Sequence, residues 1–313
     1  MLRHMLCQTG STKDLQRPEM LSEIKFDGTR AFLIKTKQDF QIQSRPRKNG
    51  GGWTVSDYTR RLPLITREAK NIDGTYVLDG EICFFNGKGI SEFTPCQRRC
   101  NTQNPMKIRK LMRKLPIVFM AFDVLEVEGE NISTYPYWSR KQVLNGFLPD
   151  TETIRFTRHS EFPSELLEKT IKKGGEGVIL KKRNSIYRYG DRSYDWLKIR
   201  PWQKGIFHVV GYTNSDKRLF KGLVLEENGK WVGNTGGGIK DTELKQLWTV
   251  LSKSLRMPKP FSIDESYTAV KTKLQVKVKY FRKTENNKLR FPSFLEIVNK
   301  AQTSLFWGAN KKF

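Results

Sequence analysis

The sequence predicts an α+β domain of antiparallel sheets and helices over residues 1–200, followed by an all-β domain over residues 201–313. Three observations predict it. In the first part, apolar segments with a period of two turn back on themselves through short polar turns, and helical patterns are scattered among them rather than alternating regularly with strands. Past Arg200-Pro201 the texture changes to short strands with a single helical stretch. The length of 313 residues, 37% of them apolar, suits two domains that each bury a core.

Taken in order, residues 1–20 carry no long periodic pattern, so no separate domain is expected ahead of Lys25. Glu23-Ile24 ends a short strand, and Ala31–Ile34 opens another after an Asp-Gly turn. Phe32 and Ile34, then Phe40 and Ile42, outline a hairpin closed by Lys35–Asp39. Residues 46–52, rich in glycine, read as a loop, and residues 54–70 as a helix broken near Pro63. Tyr76–Phe85 reads as a strand. Residues 91–115 are basic and partly helical, with interruptions at Pro95 and Pro105. Ile117–Val127 is nearly all apolar and reads as a strand buried on both faces. Helices follow at 138–148 and 163–173, with Pro163 in a first turn and Gly174-Gly175 as a stop. Strands come next at Gly177–Arg183 and Tyr194–Arg200. Beyond them, strands at 206–212, 219–225, 229–235, 274–281 and 288–295, with a helix at 241–255, fit a five-stranded OB-fold barrel.

The formal net charge of +25 points to a polyanionic partner, nucleic acid first. The basic residues are spread along the chain rather than gathered on one amphipathic helix, which argues against a membrane surface. Four cysteines make no disulfide framework, and the three histidines do not cluster with Cys96 and Cys100 as a zinc site requires. No run of 18 apolar residues exists and the start does not read as a signal peptide, so the expectation is a cytoplasmic protein, without membrane contact and monomeric.

The residues that carry chemistry begin with Glu23-Ile24-Lys25-Phe26-Asp27-Gly28-Thr29-Arg30. A protonated lysine is a poor nucleophile, and neighbouring cations with partial burial free its lone pair. Alone, this pattern is as readily a surface lysine in a hairpin turn. The P-loop pattern GxxxxGK[ST] is absent, so a chain that handles a triphosphate must grip it with cationic side chains. Such side chains recur in order. Ser44-Arg45 ends the second hairpin strand; Asp79-Gly80-Glu81 lies about fifty residues beyond Lys25; Phe122-Asp123 sits in the apolar strand, where Asp123 needs a partner. Glu176-Gly177-Val178-Ile179-Leu180-Lys181 follows, its glutamate and lysine on one side of the chain only if the strand is kinked or Glu176 precedes it. In Trp196-Leu197-Lys198-Ile199-Arg200, two cations two residues apart share a strand face and call for an anion between them. In the second part, Lys277 and Lys279 alternate with Leu274, Val276, Val278 and Tyr280; they either touch phosphates or are solvated, and the global charge favours phosphate.

Together these segments resemble the motifs of the covalent nucleotidyltransferases, and most of all the compact ATP-dependent DNA ligases that lack a helical N-terminal domain. The resemblance covers about residues 20–298. It implies a nucleotidyltransferase domain of the ligase adenylation (ATP-grasp-like) kind followed by the OB-fold. It implies that Lys25 attacks the α-phosphate of ATP and carries AMP, that Glu23, Arg30, Arg45, Glu81, Phe122, Lys181, Arg192, Lys198 and Arg200 bind the nucleotide, and that Glu81 and Glu176 hold Mg²⁺ or another divalent cation. In that family Phe122 stacks on the purine and Lys181 lies near the α-phosphate. Leu289-Arg290-Phe291-Pro292-Ser293-Phe294 resembles the C-terminal motif, but the usual Arg-x-Asp-Lys is replaced by Val298-Asn299-Lys300. The implied partner is nicked duplex DNA, with Lys277, Lys279 and Arg290 on nucleic acid. The alternatives are an RNA ligase or GTP-dependent capping enzyme on the same scaffold, and a nucleic-acid-binding protein without activity.

Overall fold

The computed structural model describes residues 2–284 and 286–298, the side chain of residue 49 excepted. The chain divides into two compact units, Met1–Arg200 and a second that begins at Pro201.

In the first unit, β1 (Leu6–Thr9) and a 3₁₀ turn at Thr12–Gln16 precede β2 (Met20–Ile24), β3 (Thr29–Lys35), β4 (Phe40–Ser44), β5 (Arg47–Asn49) and β6 (Gly52–Thr54). Helix α1 (Pro63–Asn71), β7 (Tyr76–Phe84), α2 (Phe93–Asn101), α3 (Pro105–Lys114) and β8 (Ile117–Val127) follow. The unit ends with β9 (Glu130–Asn131), α4 (Tyr137–Phe147), β10 (Ile154–Phe156), α5 (Pro163–Lys172), β11 (Val178–Lys182) and β12 (Arg192–Ile199). Two sheets form its frame. One runs β1-β12-β11-β2; the other runs β10-β8-β7-β3-β4, with β9 added to β8. The sheets are not wholly antiparallel as the hairpins suggested. β1 lies parallel to β12, and β10 parallel to β8, because each returns through a long connection. The main core packs α1, α2 and α4 against the larger sheet through residues such as Leu33, Ile42, Ile65, Leu78, Phe119 and Leu144.

Local chemistry explains the elements and the departures from expectation. α1, α3 and α5 each open on a proline, whose missing N–H has no helical partner to lose there. Residues 54–62 are not helical: Asp57 Oδ1 accepts from the Thr59 backbone N–H at 2.8 Å, a local bond that competes with a helical one. Pro95 does not interrupt α2, since it falls in the first turn. The glycine-rich stretch 46–52 is not a plain loop but most of the hairpin β5–β6, with Gly52 at φ +152°. β8 is not buried evenly on both faces. Phe119 and Ala121 are sealed in the core, while Val118, Met120 and Phe122 on the other face are only partly buried.

In the second unit, β13 (Gln203–Thr213), β14 (Gly222–Glu227), β15 (Lys230–Asn234), α6 (Asp241–Leu251), β16 (Leu255–Arg256), β17 (Tyr267–Lys271), β18 (Gln275–Tyr280) and β19 (Ser293–Ile297) make one curled sheet of the OB-fold type. The long β13 changes partners along its length: Gln203–His208 pair with β18, and Gly211–Thr213 with β17. β16 and β17 are additions to the five strands expected. Val276 and Val278 are wholly buried, and the intervening Lys277 and Lys279 are partly exposed.

Candidate active site

Both sheets of the first unit contribute to a cavity of about 750 Å³. Its lining includes Glu23, Lys25, Arg30, Arg45, Glu81, Phe122, Lys181, Arg192, Lys198 and Arg200, so residues scattered over the first unit converge on one hollow. Lys25 follows the end of β2, and its backbone N–H donates to Gly177 O at 2.9 Å. Gly28 is required in the turn that follows, because a Cβ there would lie 2.2 Å from Ile82 O. Lys25 Nζ meets Glu176 Oε2 at 2.5 Å, and the Arg200 guanidinium meets Glu176 Oε1 at 2.5 Å. Glu176 therefore sits between two cations, with its side chain only 3% exposed. It lies in the turn ahead of β11, and Gly177 makes that turn: φ is +127°, and a Cβ would lie 2.1 Å from Ile199 O.

The cationic wall is crowded with like charges. Burial lowers the Lys198 pKa, and Arg200 and Arg192 lower it further. Burial likewise lowers that of Arg45, reinforced by Arg30 and Arg192. Side chains that repel one another around a hollow suit an anion with several negative oxygens. Arg30 is fixed by a two-pronged pair with Asp79, Nε at 3.0 Å and Nη2 at 2.6 Å, and Tyr187 Oη donates to the same carboxylate at 2.6 Å. Glu81 has no such full neutralisation. Burial pushes its carboxyl up to about 7, with Lys25 and Arg30 opposing and Glu176 adding to the shift.

Part of the cavity lining is aromatic. Phe122 and Trp196 meet edge to face at 6.4 Å, and the Lys181 ammonium lies 4.4 Å from the Phe122 centroid and 4.3 Å from that of Trp196. Lys181 is buried and ion-paired with Glu23 Oε2 at 2.7 Å. Glu23 Oε1 accepts from Tyr137 Oη at 2.6 Å and from Lys141 Nζ. Burial pushes the Glu23 carboxyl up, but Lys141 and Lys181 outweigh it and hold it below the usual range. Thus Lys181 stands beside the rings, anchored by Glu23, and the Glu23 carboxylate is already engaged by three donors. Sequence reasoning missed Tyr137 and Lys141. Their i, i+4 spacing with polar ends on one helix face was the available signal. The partner that Asp123 requires is Arg140, which donates to both carboxylate oxygens at 2.8 Å; this is a fully buried structural pair, not a ligand site.

Among the described residues no group of three or more His, Cys, Asp or Glu could cage a metal. Glu176 is close enough to Glu81 to help raise its carboxyl. A hard divalent cation that takes one or two carboxylates and completes its shell with phosphate oxygens and water fits that donor set.

Lys277, Lys279 and Arg290 belong to the second unit. Lys277 pairs with Glu296 at 2.9 Å, Lys279 lies 5.2 Å from the Trp202 ring, and Arg290 lies 5.2 Å from the Phe291 ring. Asn299 and Lys300 lie outside the described residues.

Residues 4–200 match the family model for the ATP-dependent DNA ligase domain. The chain belongs to that family. The DNA ligase-like protein LigB derived from prophage SPbeta of Bacillus subtilis is 30% identical over 277 residues, covering 88% of this chain and 91% of LigB. The multifunctional non-homologous end joining protein LigD of Mycolicibacterium smegmatis is 26% identical over 304 residues, or 93% of this chain but 37% of that protein. The DNA ligase of Thermococcus fumicolans is 26% identical over 326 residues, 95% of this chain and 55% of that ligase. The chain thus spans about a third to a half of the length of several of its ligase relatives. Among solved structures, a mycobacterial DNA ligase D complexed with ATP and MES superposes with a TM-score of 0.57 at 24% identity, covering 95% of this chain and 94% of that one. A structure from a study of Lig E DNA ligases gives 0.62 at 18% identity, covering 94% and 98%. These two likenesses establish the ligase-type fold.

Proposed function

We propose that this chain seals nicks in duplex DNA, using ATP and an AMP carried covalently on Lys25. The observation that carries the reading is a lysine held against a buried carboxylate beside a cavity lined by several cations and by two aromatic rings that meet edge to face. Adenine rests against Phe122, with the Arg30 guanidinium 5.1 Å from the same ring, and the triphosphate lies among Lys198 and Arg200. The Lys25 ammonium gives its proton to Glu176 Oε2, already at hydrogen-bond distance. The freed amine attacks the α-phosphorus, a phosphorus–nitrogen bond forms, and the bond to the bridging oxygen breaks so that pyrophosphate leaves with the electron pair. The 5′-phosphate of the nick then takes the AMP from Lys25, and the 3′-hydroxyl attacks that phosphate and expels AMP. Arg200 and Lys198 stabilise charge on the phosphate oxygens through positions fixed before reaction. Glu81, with Glu176 near it, would hold a divalent cation, which would supply further charge neutralisation.

Labelled ATP followed by nicked substrates tests the reading. Covalent label from ATP and sealing of a DNA nick are the expected results. Label from GTP alone, or sealing confined to RNA, would replace it with the capping or RNA-ligase reading.

The raised Glu81 carboxyl gives a pH prediction. Glu81 must ionise to hold a cation, so kcat/KM for self-adenylation climbs as pH rises through about 7. Glu81→Gln removes that limb from the profile; a variant that keeps it assigns the titration elsewhere. The sign for stability is opposite. Glu81 ionises in the unfolded chain near the ordinary value of 4.5 but in the fold only near 7, so the metal-free protein loses stability across that interval as pH rises.

A further inference from the structure

The basic stretch that the cavity does not use lies on α2 and α3. Arg98, Lys107, Arg109, Lys110, Arg113 and Lys114 are all exposed. No aspartate or glutamate occurs between Glu92 and Asp123, and none of the six joins an ion pair among the described residues. Ile108 and Leu111 bury one side of α3, so its five cations occupy the arc opposite. A charged arc is ordinarily a solvated face, but then it carries both signs. Here Lys107 even stands in the first turn, where the helix dipole favours an acid, and no acid is present in that turn. The folded chain gains nothing internal from that placement.

We propose that the exposed face of α3, with Arg98 beside it, binds the phosphate backbone of duplex DNA. The identity of the polyanion rests on the nick-sealing reading; the surface itself does not. Ten residues of helix span about 15 Å, or roughly four phosphate steps of one strand, which matches the cations to the anions. An anionic bilayer fits less well, because insertion needs a broad free apolar face, and α3 packs Ile108 and Leu111 inside the protein and leaves, of its large apolar side chains, only Met106 exposed. Contacts of this kind hold the duplex without reading its sequence.

The test measures binding of a nicked duplex against salt concentration. The variant combines Lys107→Gln, Arg109→Gln, Lys110→Gln, Arg113→Gln and Lys114→Gln. Five backbone contacts contribute up to about 4.5 to the slope of log affinity against log salt. The variant is expected to lose about 3 or more of that slope and at least about tenfold in affinity near physiological salt, while labelling by ATP stays within about twofold of the parent. A control with Lys169→Gln, Lys172→Gln and Lys173→Gln, around the end of α5, should keep the parent slope. An unchanged slope in the five-fold variant overturns the proposal, as does an equal loss in the control. Tighter binding to phosphatidylserine vesicles than to duplex, lost in the variant, overturns it in favour of a membrane. If the five-fold variant also loses labelling, Lys107→Gln with Lys110→Gln decides, a slope loss of about 2 supporting the proposal and no loss refuting it. Failure of the parent chain to take label from ATP sinks the nick-sealing reading and leaves the salt slope to be judged alone.

Discussion

Lys25→Ala, incubated with α-labelled ATP and a divalent cation, yields no covalently labelled protein; the expected loss is on the order of a thousand-fold or more. Neither Lys181 nor Lys198, which also line the cavity, is placed to substitute. Lys181 is tied to Glu23 beneath the aromatic rings, and Lys198 stands on a different strand with Arg200 two residues on. Lys25→Arg fails equally, because a guanidinium keeps its proton and has no lone pair to offer. The same variants retain sealing of a nick supplied with AMP already on its 5′-phosphate, since that last step needs the cationic wall but not the nucleophile. Label appearing on Lys25→Ala would falsify the assignment, and peptide mapping would locate the true nucleophile.

Arg140→Ala lowers the melting temperature by roughly 10 °C. Arg140 and Asp123 are both fully buried, joined by two hydrogen bonds of 2.8 Å, and Arg140 also donates to Ser185 O at 3.1 Å. Removing the cation leaves an uncompensated carboxylate in the core, which costs about 3–5 kcal/mol. For a unit of this size each kcal/mol moves the midpoint by roughly 2–4 °C. The double change Arg140→Leu with Asp123→Leu is expected to recover much of the loss, because two apolar groups leave no charge behind. A melt of Arg140→Ala within about 2 °C of the parent would show that the pair contributes little, and calorimetry is the measurement that decides.

What the sequence discloses follows the range of the forces involved. Alternation within a strand is local, so the segments carrying Lys25, Glu81, Lys181 and Lys198 are readable as strands or strand ends from their neighbours alone. Prolines at the starts of α3 and α5 are equally local signals. Pairings set by tertiary contact are not. Tyr137 and Lys141 reach Glu23 across 114 and 118 residues; their i, i+4 spacing marks them as neighbours on one helix face but does not say what they meet. The parallel partners of β1 and β10 are hidden for the same reason. Hairpin β5–β6 escapes because three successive glycines resemble a flexible loop, although glycine also permits the tight reversal. Asp123 signals that it needs a counterion, but burial alone cannot say whether that counterion is a ligand or, as here, an arginine of α4.

Three segments of the active region are registered against one missing methyl group. The carbonyl of Gly177 receives the N–H of Lys25, its α-carbon abuts Ile199 O next to Arg200, and its left-handed turn aims Glu176. Lys25, Glu176 and Arg200 therefore share a common datum rather than being located separately. Mutational drift at residue 177 would detune all three backbone segments at once, whereas drift at a single side chain around the hollow acts only through the partners that side chain touches.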